Sequence, residues 1–168
     1  MFNVDNYLKF DKTVAMYHGL GSAPNADRNR TFTKLGYNVI SELHDYKSYF
    51  DKDLGKSFFE QELEKVKDCS LLIGLSYGGY VAYHLSAATG IPAILINPAL
   101  DRLKSKTEMN KHYDMNYTPM PSDIEVFCGE SDISVDPNIT KEYLKYVGRT
   151  NDVIMIRNMA HRVPHAYF

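Results

Sequence analysis

The chain has 168 residues, 44% hydrophobic and 24% charged, with a formal net charge of −2. That is the balance of one globular domain, long enough for a single core and too short for a core plus a sizeable accessory domain. No basic block of the kind that tracks phosphates is present and no apolar run exceeds strand length, so neither a nucleic-acid partner nor a membrane span is expected. The opening MFNVDNYLKFDK lacks a positive region followed by an apolar one, so no leader is expected and the cytoplasm is the default location. Cys69 and Cys128 lie beside or within apolar runs and are expected as buried thiols rather than a disulfide.

In chain order, the first apolar run is TVAMY (Thr13 to Tyr17), which passes directly into the loop His18-Gly19-Leu20-Gly21-Ser22-Ala23-Pro24. NVI (Asn38 to Ile40) follows. Lys56 to Asp68 then spaces Phe59, Leu63 and Val66 on one stripe among charges, which predicts an amphipathic helix. SLLIGL (Ser70 to Leu75) leads into a helical pattern from Tyr80 to Ala88, and AILIN (Ala93 to Asn97) comes next. Asp101 to Pro121 is polar and breaks the rhythm. It is expected as a short helix and loop over one edge of the sheet. IEVFC (Ile124 to Cys128), a helix from Asp136 to Val147 with a capping Asp and a proline at its start, and DVIMI (Asp152 to Ile156) complete the pattern. Continuous apolar runs alternating with helices predict a mostly parallel sheet of about six strands, covered by helices on both faces.

Gly74-Leu75-Ser76-Tyr77-Gly78 matches G-x-S-x-G between a strand and a helix. Small residues two positions either side allow a sharp turn that lifts the serine above the sheet edge, the arrangement of a nucleophile elbow. A glycine-rich turn without reactivity has the same local pattern. A serine hydroxyl needs a base, and the base needs an orienting acid, on loops after later strands in the order Ser, acid, His. After IEVFC come Glu130, Asp132 and Asp136, and after DVIMI come His161 and His165. Asp132 is the first choice of acid, with Asp136 and Glu130 as alternates. Asp136, before Pro137, is better explained as a helix cap. His161 is the first choice of base and His165 the alternate. The two could share a helical face and form a metal pair, but no third ligand or HExxH motif accompanies them, so no metal or organic cofactor is expected. The oxyanion donors are expected to be the backbone N–H of Tyr77 and, from the glycine-containing loop after the first strand, that of Leu20. His18 is expected to hold that loop through ring hydrogen bonds. His44, His84 and His112 are read as surface or packing residues.

YHGLGSAPNA, IGLSYGGYVAYHL, INPAL, FCGESD and NMAH resemble the α/β-hydrolase superfamily, and within it the small YqiA-like esterases. The resemblance runs from about Thr13 to His161. It implies Ser76 as nucleophile, Asp132 as acid, His161 as base, and the amides of Leu20 and Tyr77 as oxyanion donors. It also implies that Asn97 lines the pocket beside Gly19 and His18, and that the first two strands of the superfamily are missing, leaving six and no true cap domain. The expected activity is hydrolysis of a small acyl ester or thioester through an acyl-enzyme, falling in acid as the imidazole protonates. Two other readings fit the same residues: a binding protein on a hydrolase scaffold, and an acyltransferase or peptidase using the same triad.

Overall fold

The structure, a computed structural model, describes residues 13–50, 52–100, 123–148 and 153–163. The segment 101–121, His112 and His165 lie outside the described residues. Six strands form one sheet: β1 (Thr13–Tyr17), β2 (Asn38–Ile40), β3 (Leu71–Leu75), β4 (Ala93–Ile96), β5 (Ile124–Gly129) and β6 (Val153–Ile156). Their order is β2-β1-β3-β4-β5-β6 and every pairing is parallel. Among the described residues four α-helices accompany them: α1 (Ala26–Lys34), α2 (Lys52–Val66), α3 (Tyr77–Thr89) and α4 (Pro137–Tyr146). No described element forms a cap over the sheet.

The apolar runs of the inner strands β1, β3, β4 and β5 are covered on both faces, whereas the edge strands β2 and β6 are partly exposed. Ala15, Tyr17, Leu72, Leu95 and Val126 face a core shared with Phe59 of α2, Val81 and Leu85 of α3 and Leu144 of α4. The alternate residues Val14, Met16, Leu71, Ile73, Ile94 and Phe127 face a second core, closed by Phe32 of α1 together with Met159 and Val163. A fully buried Leu or Ile contributes about 1.5–3 kcal/mol, so the two cores dominate stability. Cys69 and Cys128 are buried thiols that form no disulfide. Burial pushes the Cys128 thiol up to about 12, which leaves it unreactive.

Two helices start earlier than the apolar stripes indicate, at Lys52 rather than Lys56 and at Tyr77 rather than Tyr80. Helix α1 has no counterpart among the sequence expectations. It carries one buried side chain, Phe32, on an otherwise polar segment. Its boundaries are set by capping: the Asn25 side chain accepts from Arg28 N at 3.0 Å, and Gly36 follows its end at φ 86°.

Candidate active site

In a parallel sheet all strands end on the same edge, and the candidate residues collect there. Leu20 follows β1, Ser76 follows β3, Asn97 follows β4, Asp132 follows β5 and His161 follows β6.

Ser76 has φ 55° and ψ −119°, a conformation that a residue with a side chain adopts only under constraint. The constraint comes from both sides. Its N–H donates to Ile96 O at 3.0 Å, and its carbonyl accepts from Ala99 N at 2.9 Å and Gly79 N at 2.9 Å. The flanking glycines are required by close approach. A Cβ on Gly74 would lie 2.3 Å from Gly78 O, and one on Gly78 would lie 2.3 Å from Tyr17 O. Tyr77 is the first residue of α3, a position whose N–H has no acceptor within the helix. The positive end of α3 therefore adjoins the serine.

His161 Nδ1 donates to Asp132 Oδ2 at 2.8 Å. The Asp132 side chain is 1% exposed. Its other oxygen accepts from Ser134 N at 2.8 Å and Val135 N at 2.9 Å. Three donors supply the hydrogen bonds that a buried carboxylate requires. They also fix the imidazole so that Nε2 is left for a second partner. Of the other acids, Asp136 caps α4, accepting from Asn138 N at 2.9 Å, and Glu130 is exposed.

A cavity of about 510 Å³ opens at this edge, walled by Ser76, His161, His18 and the loop from Gly19 to Ala23. The loop passes close over the serine, since a Cβ on Gly19 would come within 3.3 Å of Ser76 Cβ. His18 is buried at its root. Its Nε2 accepts from the His44 N–H at 2.9 Å, so Nδ1 carries the proton that reaches Gly19 O at 2.8 Å. With both nitrogens engaged, this ring is a brace for the loop. His44 itself is buried among the rings of Tyr17, Tyr46 and Phe58, and burial pushes its pKa down. His84 is likewise a packing residue, edge-on to Tyr80 and Tyr83, with burial pushing it down to about 4.

Asn97 departs from its expected place. It is 1% exposed and is not part of the cavity wall. From a left-handed backbone at φ 46°, its Oδ1 accepts from Gly129 N at 2.7 Å, and its Nδ2 donates to Ala160 O at 3.0 Å and His161 O at 3.2 Å. It ties the end of β5 to the loop that carries the histidine. Sequence reading also passed over Arg28, Arg162 and Val163, all in the cavity wall. Only Arg162, next to His161, carried a signal.

Among the described residues, Glu42, His44 and Glu62 bring three metal-competent groups within 4.8 Å of one another. The Lys65 ammonium already occupies the place of a cation there, 2.6 Å from Glu42 and 2.8 Å from Glu62. Tyr17 OH donates to the second oxygen of Glu62 at 2.8 Å.

The fold is that of the α/β hydrolases. An S-formylglutathione hydrolase of Staphylococcus aureus superposes with a TM-score of 0.66 at 18% identity, over 98% of this chain and 79% of the other. A monoacylglycerol lipase of Paleococcus ferrophilus gives 0.62 at 11% identity, over 89% and 86%. A serine hydrolase without a lid from Xanthomonas campestris gives 0.58 at 18%, over 92% and 75%. No curated protein matches in sequence. The model of the family described as "Uncharacterised protein family (UPF0227)" matches residues 14–134, most of the chain. The elbow, the parallel six-stranded sheet and this match agree, and the chain belongs to that family, the YqiA-like group within the α/β-hydrolase fold.

Proposed function

We propose that the chain is a serine hydrolase that cleaves an ester or thioester of a small acyl group. The observation that carries this reading is the His161–Asp132 hydrogen bond of 2.8 Å, with its imidazole on the same cavity wall as Ser76. In this reading Ser76 Oγ attacks the acyl carbon and passes its proton to His161 Nε2. Asp132, on Nδ1, stabilises the imidazolium so formed. The N–H groups of Tyr77 and Leu20 bind the tetrahedral oxyanion. Collapse expels the alcohol or thiol, which takes the proton from His161. Water then attacks the acyl-enzyme, giving a proton to the same nitrogen, and collapse breaks the bond to Ser76 Oγ, which takes that proton back as the free acid leaves.

A fluorophosphonate probe and short p-nitrophenyl esters test the reading. Wild-type protein is expected to be labelled and to turn over ester. Ser76→Ala is expected to lose labelling and to fall in kcat by roughly 10³-fold or more, with an unchanged circular dichroism spectrum. Equal labelling of both proteins would falsify the assignment of Ser76.

A further inference from the structure

Asn97 stands on a short segment that touches all three loops carrying Ser76, Asp132 and His161. On one side of it Ile96 O accepts from Ser76 N at 3.0 Å, and on the other Ala99 N donates to Ser76 O at 2.9 Å. The carboxamide between them reaches the other two loops. Its Oδ1 accepts from Gly129 N at the root of the loop that carries Asp132. Its Nδ2 donates to Ala160 O and His161 O in the loop of the imidazole.

The segment is itself anchored. Pro98 O accepts from Leu100 N at 2.8 Å and from Thr140 Oγ1 of α4 at 3.2 Å. Pro98 also presses on the first turn of α3, where a Cβ on Gly79 would lie 2.7 Å from Pro98 Cβ. Asn97 and Pro98 are buried, and neither belongs to the cavity wall. Asn97 therefore acts on a molecule in the cavity through the loops it holds.

The backbone alone does not account for the residue. Asparagine adopts the left-handed region more readily than most side chains, which suits the φ of 46°. Glycine would serve that turn as well. What the carboxamide adds is one rigid, planar group that meets a backbone donor of the acid loop and two carbonyls of the base loop.

We propose that Asn97 is a positioning residue whose carboxamide sets the placement of His161 relative to Asp132 and Ser76. This deepens the hydrolase reading above and rests on it. Asn97 exchanges no proton with substrate. Misplacing a reacting group by about 1 Å costs on the order of 10²-fold in rate, so a small shift of the base loop is legible in kcat.

The decisive variant is Asn97→Gly, which keeps the left-handed backbone and removes the carboxamide. With its fold checked by circular dichroism, it is expected to lose roughly 10²-fold in kcat on a p-nitrophenyl ester while KM changes by less than about threefold. The proton resonance of His161 Nδ1–H, which reports the hydrogen bond to Asp132, should shift or broaden. Asn97→Asp keeps an acceptor for Gly129 N and loses both donations to the base loop. It should show the same two changes, and it serves where Asn97→Gly proves too unstable. The resonance needs no turnover. If wild-type protein cleaves no ester while the resonance moves in the variants, the hydrolase reading fails and the positioning of His161 stands. A resonance unmoved in both variants, or a wild-type kcat in folded Asn97→Gly, overturns the proposal.

Discussion

The loop after β1 and the loop after β6 both line the cavity at Ser76, and they hold their shapes by different means. The β6 loop is cross-linked from several sides. Asn97 of the β4 end holds the carbonyls of Ala160 and His161, Ser131 N donates to Met159 O at 3.0 Å, Asp132 holds the imidazole, and Arg28 holds Val163 O. The β1 loop is braced at its root by His18 and by a turn from Ser22 N to Gly19 O at 3.1 Å, while Gly21, Ser22 and Ala23 are exposed. In the proposed reaction the imidazole has to keep one orientation, and the loop that carries it is the heavily tied one. The surface that meets a ligand first is carried by the loop with room at its tip.

Substitutions on the two sides should differ accordingly. The largest effect is expected for Gly129→Ala. Its Cβ would lie 2.1 Å from Met159 O, a backbone contact that no side-chain rotation relieves, and unfolding free energy should fall by about 3 kcal/mol or more. A urea midpoint equal to wild type would show that the β6 loop yields easily and is held no more firmly than the β1 loop. Asn97→Ala comes next. It leaves the Gly129 amide and two loop carbonyls without their partner, at a cost of about 2–3 kcal/mol, and should lower kcat more than it raises KM, since it disturbs the base rather than the binding wall. A variant that loses stability and keeps kcat would separate the support of the loop from the support of the histidine.

Acid is expected to act through the packed rings rather than through either loop tip. His84 and His44 are both held down by burial, His84 to about 4. Unfolded, each titrates near 6.5. Below that pH the unfolded chain takes up protons that the folded one refuses, so stability present above about 6.5 is lost as the pH falls towards 4. The loss should be about 3 kcal/mol in urea titrations, and His84→Gln should flatten the slope. Because His18 depends on the His44 amide, the β1 loop should loosen first, read as earlier hydrogen exchange at Gly19 and Leu20 than at Ala160. The smallest effect belongs to Gly21→Ala. Nothing lies within 4 Å of the new methyl, and only the positive φ of 67° opposes it, for about 1 kcal/mol.

Legibility in the sequence followed burial. β1 and β2 coincide with the runs TVAMY and NVI, and the other strands differ from theirs by a single residue at an end; the inner strands β1, β3, β4 and β5 are covered on both faces and so are largely apolar, while the edge strands β2 and β6 stay partly exposed. Helix α1 escaped because Phe32 alone is buried and no stripe forms. Its signals were Asn25 and Gly36, which report on ends rather than on a face. Ser76, Asp132 and His161 could be picked out as residue types in the right order after strands. The choice among three acids became physical only when the imidazole was seen on Asp132. The work of Asn97 could not be read at all. It depends on Gly129, Ala160 and His161, 32 to 64 positions away, meeting at one amide group.

The backbone of Ser76 has an evolutionary consequence. Its φ of 55° suits glycine better than serine, and a glycine there would keep the turn while shedding strain of about 1–3 kcal/mol. Drift governed by stability alone would favour that replacement. A lineage that retains the serine does so against the preference of its own main chain, and the hydroxyl is what the replacement would remove.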